Sequence, residues 1–452
     1  MQDLTTGSVT RHLLKTAGYM LVTMAFQTLY FLVDLYWVGR LGKEAVAGVG
    51  IAGNLTFIVL AVTQMLGVGV TTLVSHASGR KDRDGALLVF NESLLLSAIV
   101  GALFFAAGMA IRLPYVRALG ADARTAALAA DYLLWFIPAM SLQFAMVSMG
   151  AALRGTGNFR PGMIVQTASV ILNIVLAPFL IFGWGTGHPF GVAGAAISSL
   201  IAIAVGAIWM SFYFVGDGAY LRFVRRGWTP DLALWRRILG IGLPAGAEFG
   251  LMSVYLVIVY IVSRPFGSAA QAGFGIGMRV VQAGFMPVVA LGFGVAPVAG
   301  QNFGAGRPER VRASFRSAAM MAAAGMLLWT AVCQIWGASM IKFFSKDPAV
   351  VAVGAEYLHI VSWTFVASGI IFVASSLFQA MGNTLPALLA SLVRIGVVAV
   401  PAFALARLAG FQLHWIWYLS VSAIVVQLTV SLLLLSREMR RRLPPVPATL
   451  SI

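Results

Sequence analysis

The sequence predicts an all-α polytopic membrane protein of about twelve transmembrane helices, set out as two six-helix lobes related by a parallel pseudo-two-fold repeat around a central cavity. Three observations predict it. Only 10% of the 452 residues are charged and 60% are apolar, with a mean hydropathy of +0.90, whereas a soluble domain carries about 25% charged residues. Apolar stretches of about 20 residues recur along nearly the whole chain, each long enough to cross a bilayer. The second half also repeats the first at one fixed offset.

Taken in order, the first apolar stretch covers 13–38. The residues before it lack a basic segment followed by an apolar core and a small-residue cleavage site, and the stretch is too long for a signal peptide, so it reads as the first membrane helix. Spans over 48–76, 88–111, 127–150, 161–184 and 191–215 follow and complete an amino-terminal lobe, 1–215. The longest polar interruption, 216–237, holds Arg222, Arg225, Arg226, Arg236 and Arg237 and is expected to be a cytoplasmic linker. Spans over 238–262, 271–300, 315–337, 350–378, 384–408 and 412–436 make the carboxy-terminal lobe, 238–436. A basic tail, 437–452, with Pro444, Pro445 and Pro447, is expected to be disordered and cytoplasmic.

Shifting the second half back by 225 residues places Tyr255 on Tyr30, Gly273 on Gly48, Gly275 on Gly50 and Gly304 on Gly79. Glu356-Tyr357-Leu358 falls on Asp131-Tyr132-Leu133, and Gly382-Asn383 with Pro386 falls on Gly157-Asn158 with Pro161. Leu and Val match by chance between apolar helices, but Gly, Asn, Pro and Tyr at one offset do not. A shift of six helices keeps corresponding helices in the same orientation, which gives parallel repeats about an axis along the membrane normal and a cavity between them.

The net charge of +16 does not mark a nucleic-acid binder, because the basic residues cluster between apolar spans and form no continuous face. With the amino terminus in the cytoplasm, 20 of the 31 Lys and Arg residues fall on the cytoplasmic side, nine on the other, and Arg279 and Arg394 fall inside spans. That bias follows the positive-inside rule and places both termini in the cytoplasm. Cys333 stands alone in an apolar run, so no disulfide framework or metal cluster is expected. No Walker P-loop, metal-ligand spacing or paired acid motif appears, and neither cofactor nor enzyme activity is expected.

Charged side chains at bilayer depth cost about 2.5–3.5 kcal/mol on insertion scales, so each is a functional candidate. Asp34 stands near the end of span 1 and Glu248 in the first half of span 7, with His359 in span 10. Withdrawal of a carboxylate from water suits reversible proton binding, and a carboxylate also suits an ion or a cationic ligand. The structural alternatives are an interfacial role for Asp34 and an ion pair with Arg279 or Arg394 for Glu248. Met24, Tyr30, Met146, Met252, Tyr255, Phe285 and Met286 are candidates for an adaptable cavity wall, since methionine conforms to varied ligands and aromatic faces attract organic cations.

Over essentially its whole length the chain resembles the multidrug and toxic compound extrusion (MATE) family. The resemblance rests on Val33-Asp34-Leu35-Tyr36-Trp37-Val38-Gly39-Arg40-Leu41-Gly42, on Leu153-Arg154-Gly155-Thr156-Gly157-Asn158, on Ile171-Leu172-Asn173-Ile174-Val175-Leu176, and on Gln301-Asn302-Phe303-Gly304-Ala305-Gly306 and Gln379-Ala380-Met381-Gly382-Asn383. It implies a monomeric secondary antiporter of the bacterial inner membrane, which exports cationic or amphiphilic organic compounds against protons or sodium ions by rocking of its lobes. It also implies coupling roles for Asp34, Asn173 and Glu248, the last as the span-7 acid of the NorM-like branch. The chain departs from the family at Ala177, where many relatives carry an acid, at Tyr19, where some carry a proline, and at Ser368, where the NorM-like branch has an acid. The alternative is a lipid-linked oligosaccharide flippase of the same wider superfamily, for which Arg279 and Arg394 are the relevant residues.

Overall fold

No water reaches the hydrocarbon core of a bilayer, so a crossing segment must close its backbone hydrogen bonds within itself, as a helix does. The computed structural model describes the chain except residues 121, 186, 217–218, 225–229, 409 and 445–452. Arg225 and Arg226 of the linker and Pro445 and Pro447 of the tail lie outside the described residues. The described residues hold no strand. Their α-helices are α1 (Val9–Gly39), α2 (Lys43–Gly79), α3 (Arg83–Leu119), α4 (Ala123–Gly155), α5 (Phe159–Phe182), α6 (Val192–Tyr213), α7 (Leu232–Ser263), α8 (Gly267–Gly304), α9 (Pro308–Phe344), α10 (Pro348–Val361), α11 (Phe365–Ala380), α12 (Leu385–Leu405) and α13 (His414–Arg442).

Eleven continuous helical segments are long and apolar enough to cross a membrane, and one of them, the 73-residue Leu232–Gly304, contains both α7 and α8. The protein is therefore a multi-pass membrane protein, with twelve crossing segments among the described residues. The tenth is broken into α10 and α11 by a 3-10 turn at Ser362–Thr364. Helix α9 supports the break from the side. Gln334 Nε2 donates to the His359 carbonyl and to Ser362 Oγ at 2.8 Å each, and Thr330 Oγ1 donates to the Ser362 carbonyl at 2.8 Å. Side-chain groups that enter the backbone ladder are a known cause of such interruptions.

The helices outrun the apolar spans expected from the sequence. Helices α2, α3 and α9 have 37 residues each, about 55 Å at 1.5 Å per residue, against about 30 Å of hydrocarbon. Apolarity marks only their middles. The linker expected through 237 is already helical from Leu232. The tail expected to be disordered from 437 is helical through Arg442, because Arg442 Nη1 donates to the Met381 carbonyl at 2.8 Å and Glu438 accepts from Asn383 Nδ2 at 2.8 Å.

The chain forms two compact units, one of residues 1–3 and Gly18–Gly246, the other of Leu4–Ala17 and Ala247–Ile452. Two helices are thus shared: residues 9–17 of α1 belong to the second unit and residues 232–246 of α7 to the first. In the first unit α4 packs on α2, α3 and α6 around Leu66, Phe90, Leu133, Ile137 and Phe144. In the second, α8 packs on α9, α10 and α11 around Phe274, Tyr357, Phe378 and Trp417.

The repeat is visible as the same contact made twice. A Cβ on Gly48 would lie 3.1 Å from the Ala129 amide nitrogen, and one on Gly273 would lie 3.0 Å from that of Gly354, the matching position. Small residues there let two helix backbones meet. The ends of α4 and α11 also match: Gly157 (φ 77°) and Gly382 (φ 73°) are left-handed, and the next amides, Asn158 and Asn383, donate back to Leu153 and Phe378 at 3.0 Å. This closes the last carbonyls of each helix.

Each shared helix is preceded by a strapped-down segment. Before α7, Arg83 of α3 donates to the carbonyls of Ala219 and Tyr220 at 2.9 and 3.1 Å. Asn91 donates to the Arg222 carbonyl and accepts from the Val224 amide, both at 3.0 Å. Glu92, only 1% exposed, accepts from the Asp231 amide at 3.1 Å and Trp235 Nε1 at 2.7 Å. Before α1, the Leu4 amide donates to Gln301 Oε1 at 3.0 Å, Asn302 Nδ2 donates to the Leu4 carbonyl at 3.1 Å, and Arg310 Nη1 donates to the Gly7 carbonyl at 3.0 Å.

Candidate functional site

Tyr30 and Asp34 stand four residues apart on α1, so they share a face. In the first unit that face meets α6. Tyr30 Oη and Ser199 Oγ share a hydrogen bond at 3.0 Å. Asn173 Nδ2 of α5 donates to Ser199 Oγ at 3.1 Å and to Ser198 Oγ at 3.3 Å. Asp34 is half-buried, and its Oδ1 is withdrawn from solvent without a hydrogen-bond partner. Its charge lies within reach of the phenols of Tyr30 and Tyr132. The fold therefore joins Tyr30 and Asn173 through Ser199, and Asp34 stands one turn along α1 from Tyr30. Ala177, one turn beyond Asn173, is buried in the apolar core.

In the second unit Glu248 of α7 is the acid. Ser375 Oγ of α11 donates to its Oε2 at 2.8 Å and Ser391 Oγ of α12 to its Oε1 at 3.3 Å. Gln427 Nε2 of α13 donates to Ser391 Oγ at 3.2 Å. Four helices thus converge on one carboxylate through neutral groups. Among the described residues Glu248 has no ion pair, so the pairing with Arg279 or Arg394 weighed from the sequence is not made. Helix α11 serves the acid through Ser375, two turns beyond Ser368.

Seven residues along α7, Tyr255 Oη shares a hydrogen bond with Ser420 Oγ of α13 at 2.9 Å. The Arg394 guanidinium lies over the Tyr255 ring, 4.7 Å from its centroid. Arg279 is exposed on α8.

The wall residues separate by environment. Met24 is half-buried on α1 and Met252 is 47% exposed on α7. Phe285 and Met286 are half-buried on α8, with Phe285 edge-on to Phe372 at 5.8 Å. Met146 is 4% exposed in the core of the first unit, its methyl packed toward Gly206 between α4 and α6. Ser198, Ser199, Ser375, Ser391 and Gln427 join the clusters without having drawn attention in the sequence, where neutral polar residues in apolar spans are common. The tyrosine pair Tyr132 and Tyr357 did carry a signal, as matched positions of the repeat.

A family model, MatE, matches residues 20–179 and again 244–404, which is the repeat offset to within one residue. The chain is 25% identical over 377 residues to the FAD transporter of Shewanella oneidensis, covering 83% of each chain. It is 26% identical over 411 residues to the multidrug export protein MepA of Staphylococcus haemolyticus, covering 90% of this chain and 89% of the relative. A solved structure of MATE in the bent conformation shares the fold with a TM-score of 0.90 at 24% identity, over 97% of both chains. The family model spans well over half of the sequence, and the protein belongs to the MatE family.

Proposed function

We propose that this protein is a secondary active exporter of cationic or amphiphilic organic compounds, working by antiport with an inorganic cation through alternating access of its two lobes. One observation carries the reading: each unit holds a carboxylate inside a crossing segment, Asp34 or Glu248, that no cationic side chain compensates among the described residues. A charge held at that depth calls for a mobile counter-ion, which is a proton, a sodium ion or the cargo itself. The coupling ion is the proton, because each cluster offers a single carboxylate where a tight sodium cage calls for several charged oxygens. The staphylococcal relative is a multidrug export protein, which supports the cargo class. The working form is a monomer in the bacterial inner membrane with both termini in the cytoplasm. Flipping of lipid-linked oligosaccharides is the alternative, and it is separated by the same assay.

The test is ethidium efflux from proteoliposomes under an imposed pH or sodium gradient. Wild type is expected to move dye when a proton gradient is applied. Asp34→Asn is expected to lose at least ten-fold of that rate while remaining monodisperse. Absence of gradient-dependent efflux for ethidium and for other cationic dyes would overturn the reading.

A further inference from the structure

The repeat relates two tyrosine pairs, Tyr30 with Tyr132 and Tyr255 with Tyr357, at the single offset of 225 residues. In both units the first tyrosine is pinned by a serine of a later helix of the same unit, Ser199 of α6 at 3.0 Å and Ser420 of α13 at 2.9 Å. The pinning fixes each ring as a platform. What differs is the charge beside the pair. In the first unit it is the Asp34 carboxylate, in reach of Tyr30 and Tyr132. In the second it is the Arg394 guanidinium, stacked on Tyr255 at 4.7 Å and in reach of Tyr357.

Arg394 stands midway along α12, a 21-residue apolar helix. Nine residues from the helix start, it lies about 14 Å along the axis, near the middle of a hydrocarbon layer of about 30 Å. It is half-buried, and its Nε is withdrawn from solvent without a hydrogen-bond partner. No carboxylate pairs with it among the described residues. The acid of the same unit, Glu248, is already held by Ser375 and Ser391. It stands two turns before Tyr255 on α7, about 10 Å along the axis. A guanidinium carries five N–H donors in a planar fork matched to carboxylate and phosphate oxygens. A stacked guanidinium at that depth, with its Nε unsatisfied and no carboxylate paired with it among the described residues, is costly to keep unless something anionic comes to it.

We infer that Arg394, braced on Tyr255, is an anion-binding site in the second unit that takes the carboxylate or phosphate group of an amphiphilic ligand. The cation export proposed above uses the two carboxylates and not this site, so the inference goes beyond that reading. The ligand's anionic group comes either from a solute or from a lipid headgroup, and two arms separate these sources.

In the first arm the full chain is reconstituted in nanodiscs of pure phosphatidylcholine and titrated with dansylglycine, a fluorescent carboxylate, and with its neutral counterpart dansylamide. In the second, protein extracted from bilayers containing phosphatidylglycerol is examined by native mass spectrometry for retained anionic lipid. Wild type is expected to bind dansylglycine at least ten-fold more tightly than dansylamide, or to retain phosphatidylglycerol. Arg394→Gln is expected to bring the preference to within two-fold and to lose the lipid. Arg394→Lys keeps the charge without the planar stack, and is expected to fall between the two; it decides the matter if the glutamine variant does not fold. A wild type with no preference in either arm, or a preference that Arg394→Gln leaves intact, overturns the inference. Both readouts are of binding alone, so a wild type that exports no ethidium would sink the export reading and leave this result standing.

Discussion

Glu248 shows how an acid can be kept inside an apolar helix without a basic partner. Two serine hydroxyls, from α11 and α12, donate to its two oxygens, and Gln427 orders one of them. Glutamine at this position removes the charge, keeps the volume and one acceptor oxygen, and turns the other oxygen into an NH2 donor that a serine hydroxyl can accept from. Glu248→Gln is expected to unfold within a few degrees of wild type. Glu248→Ala strands two buried hydroxyls, each at roughly 1–3 kcal/mol, and its transition should fall clearly below both; thermal unfolding of the purified proteins makes the comparison. Equal losses in the two variants would mean that the charge, not the hydrogen bonding, holds the four helices together. The acid itself was legible in the sequence, because a carboxylate in an apolar span stands out. Its partners were not, since Ser375 and Ser391 resemble any other small residue in such a span and lie over 120 residues away in the chain.

At the scale of elements, α3 does two jobs. Its later turns are apolar, while Phe90, Asn91 and Glu92 are buried near its start and strap down the segment leading into α7. Glu92 lies inside the apolar span expected over 88–111, and nothing local distinguishes an acid that anchors a linker from one that faces a cavity. Glu92→Ala leaves the Asp231 amide and the Trp235 indole N–H without their acceptor. The expected result is faster trypsin cleavage after Arg222, by several-fold, at unchanged cleavage elsewhere; an unchanged rate would show that the carboxylate does not hold the segment. Element existence was legible throughout, since twelve apolar stretches became twelve crossings. Element ends were not, because they are set by caps and side-chain contacts such as those of Arg442 and Gln334. The break between α10 and α11 belongs to the same class: its cause sits on α9.

For the whole molecule, the repeat was the most legible feature, and the exchange between units the least. The offset of 225 residues could be read from Gly, Asn, Pro and Tyr, and the contacts of Gly48 and Gly273 follow it closely. Nothing in composition says that the residues before α1 pack with the second half, because they are few and polar. Arg310 secures them, donating to the carbonyls of Gly7, Thr6 and Leu4 at 3.0, 3.3 and 3.4 Å and to Asn302 Oδ1 at 2.8 Å. Hydrogen bonds to a charged donor contribute about 1.5–3 kcal/mol each at best, and the longest two here contribute less. Arg310→Ala is expected to lower stability by about 2–3 kcal/mol in denaturant unfolding, and to raise proteolysis near the amino terminus. A variant as stable as wild type would show that Gln301 and Asn302 suffice.

That strap also sets a timetable for synthesis. The segment before α7 meets α3 as soon as it is made, because α3 is already in place. The segment before α1 leaves the ribosome well ahead of its partner, since the Gln301 side chain that receives the Leu4 amide is encoded 297 residues later. At 5–20 residues per second, the opening residues wait roughly 15–60 s for their seat. The segment that leads into α1 is therefore fastened only once α8 has been made.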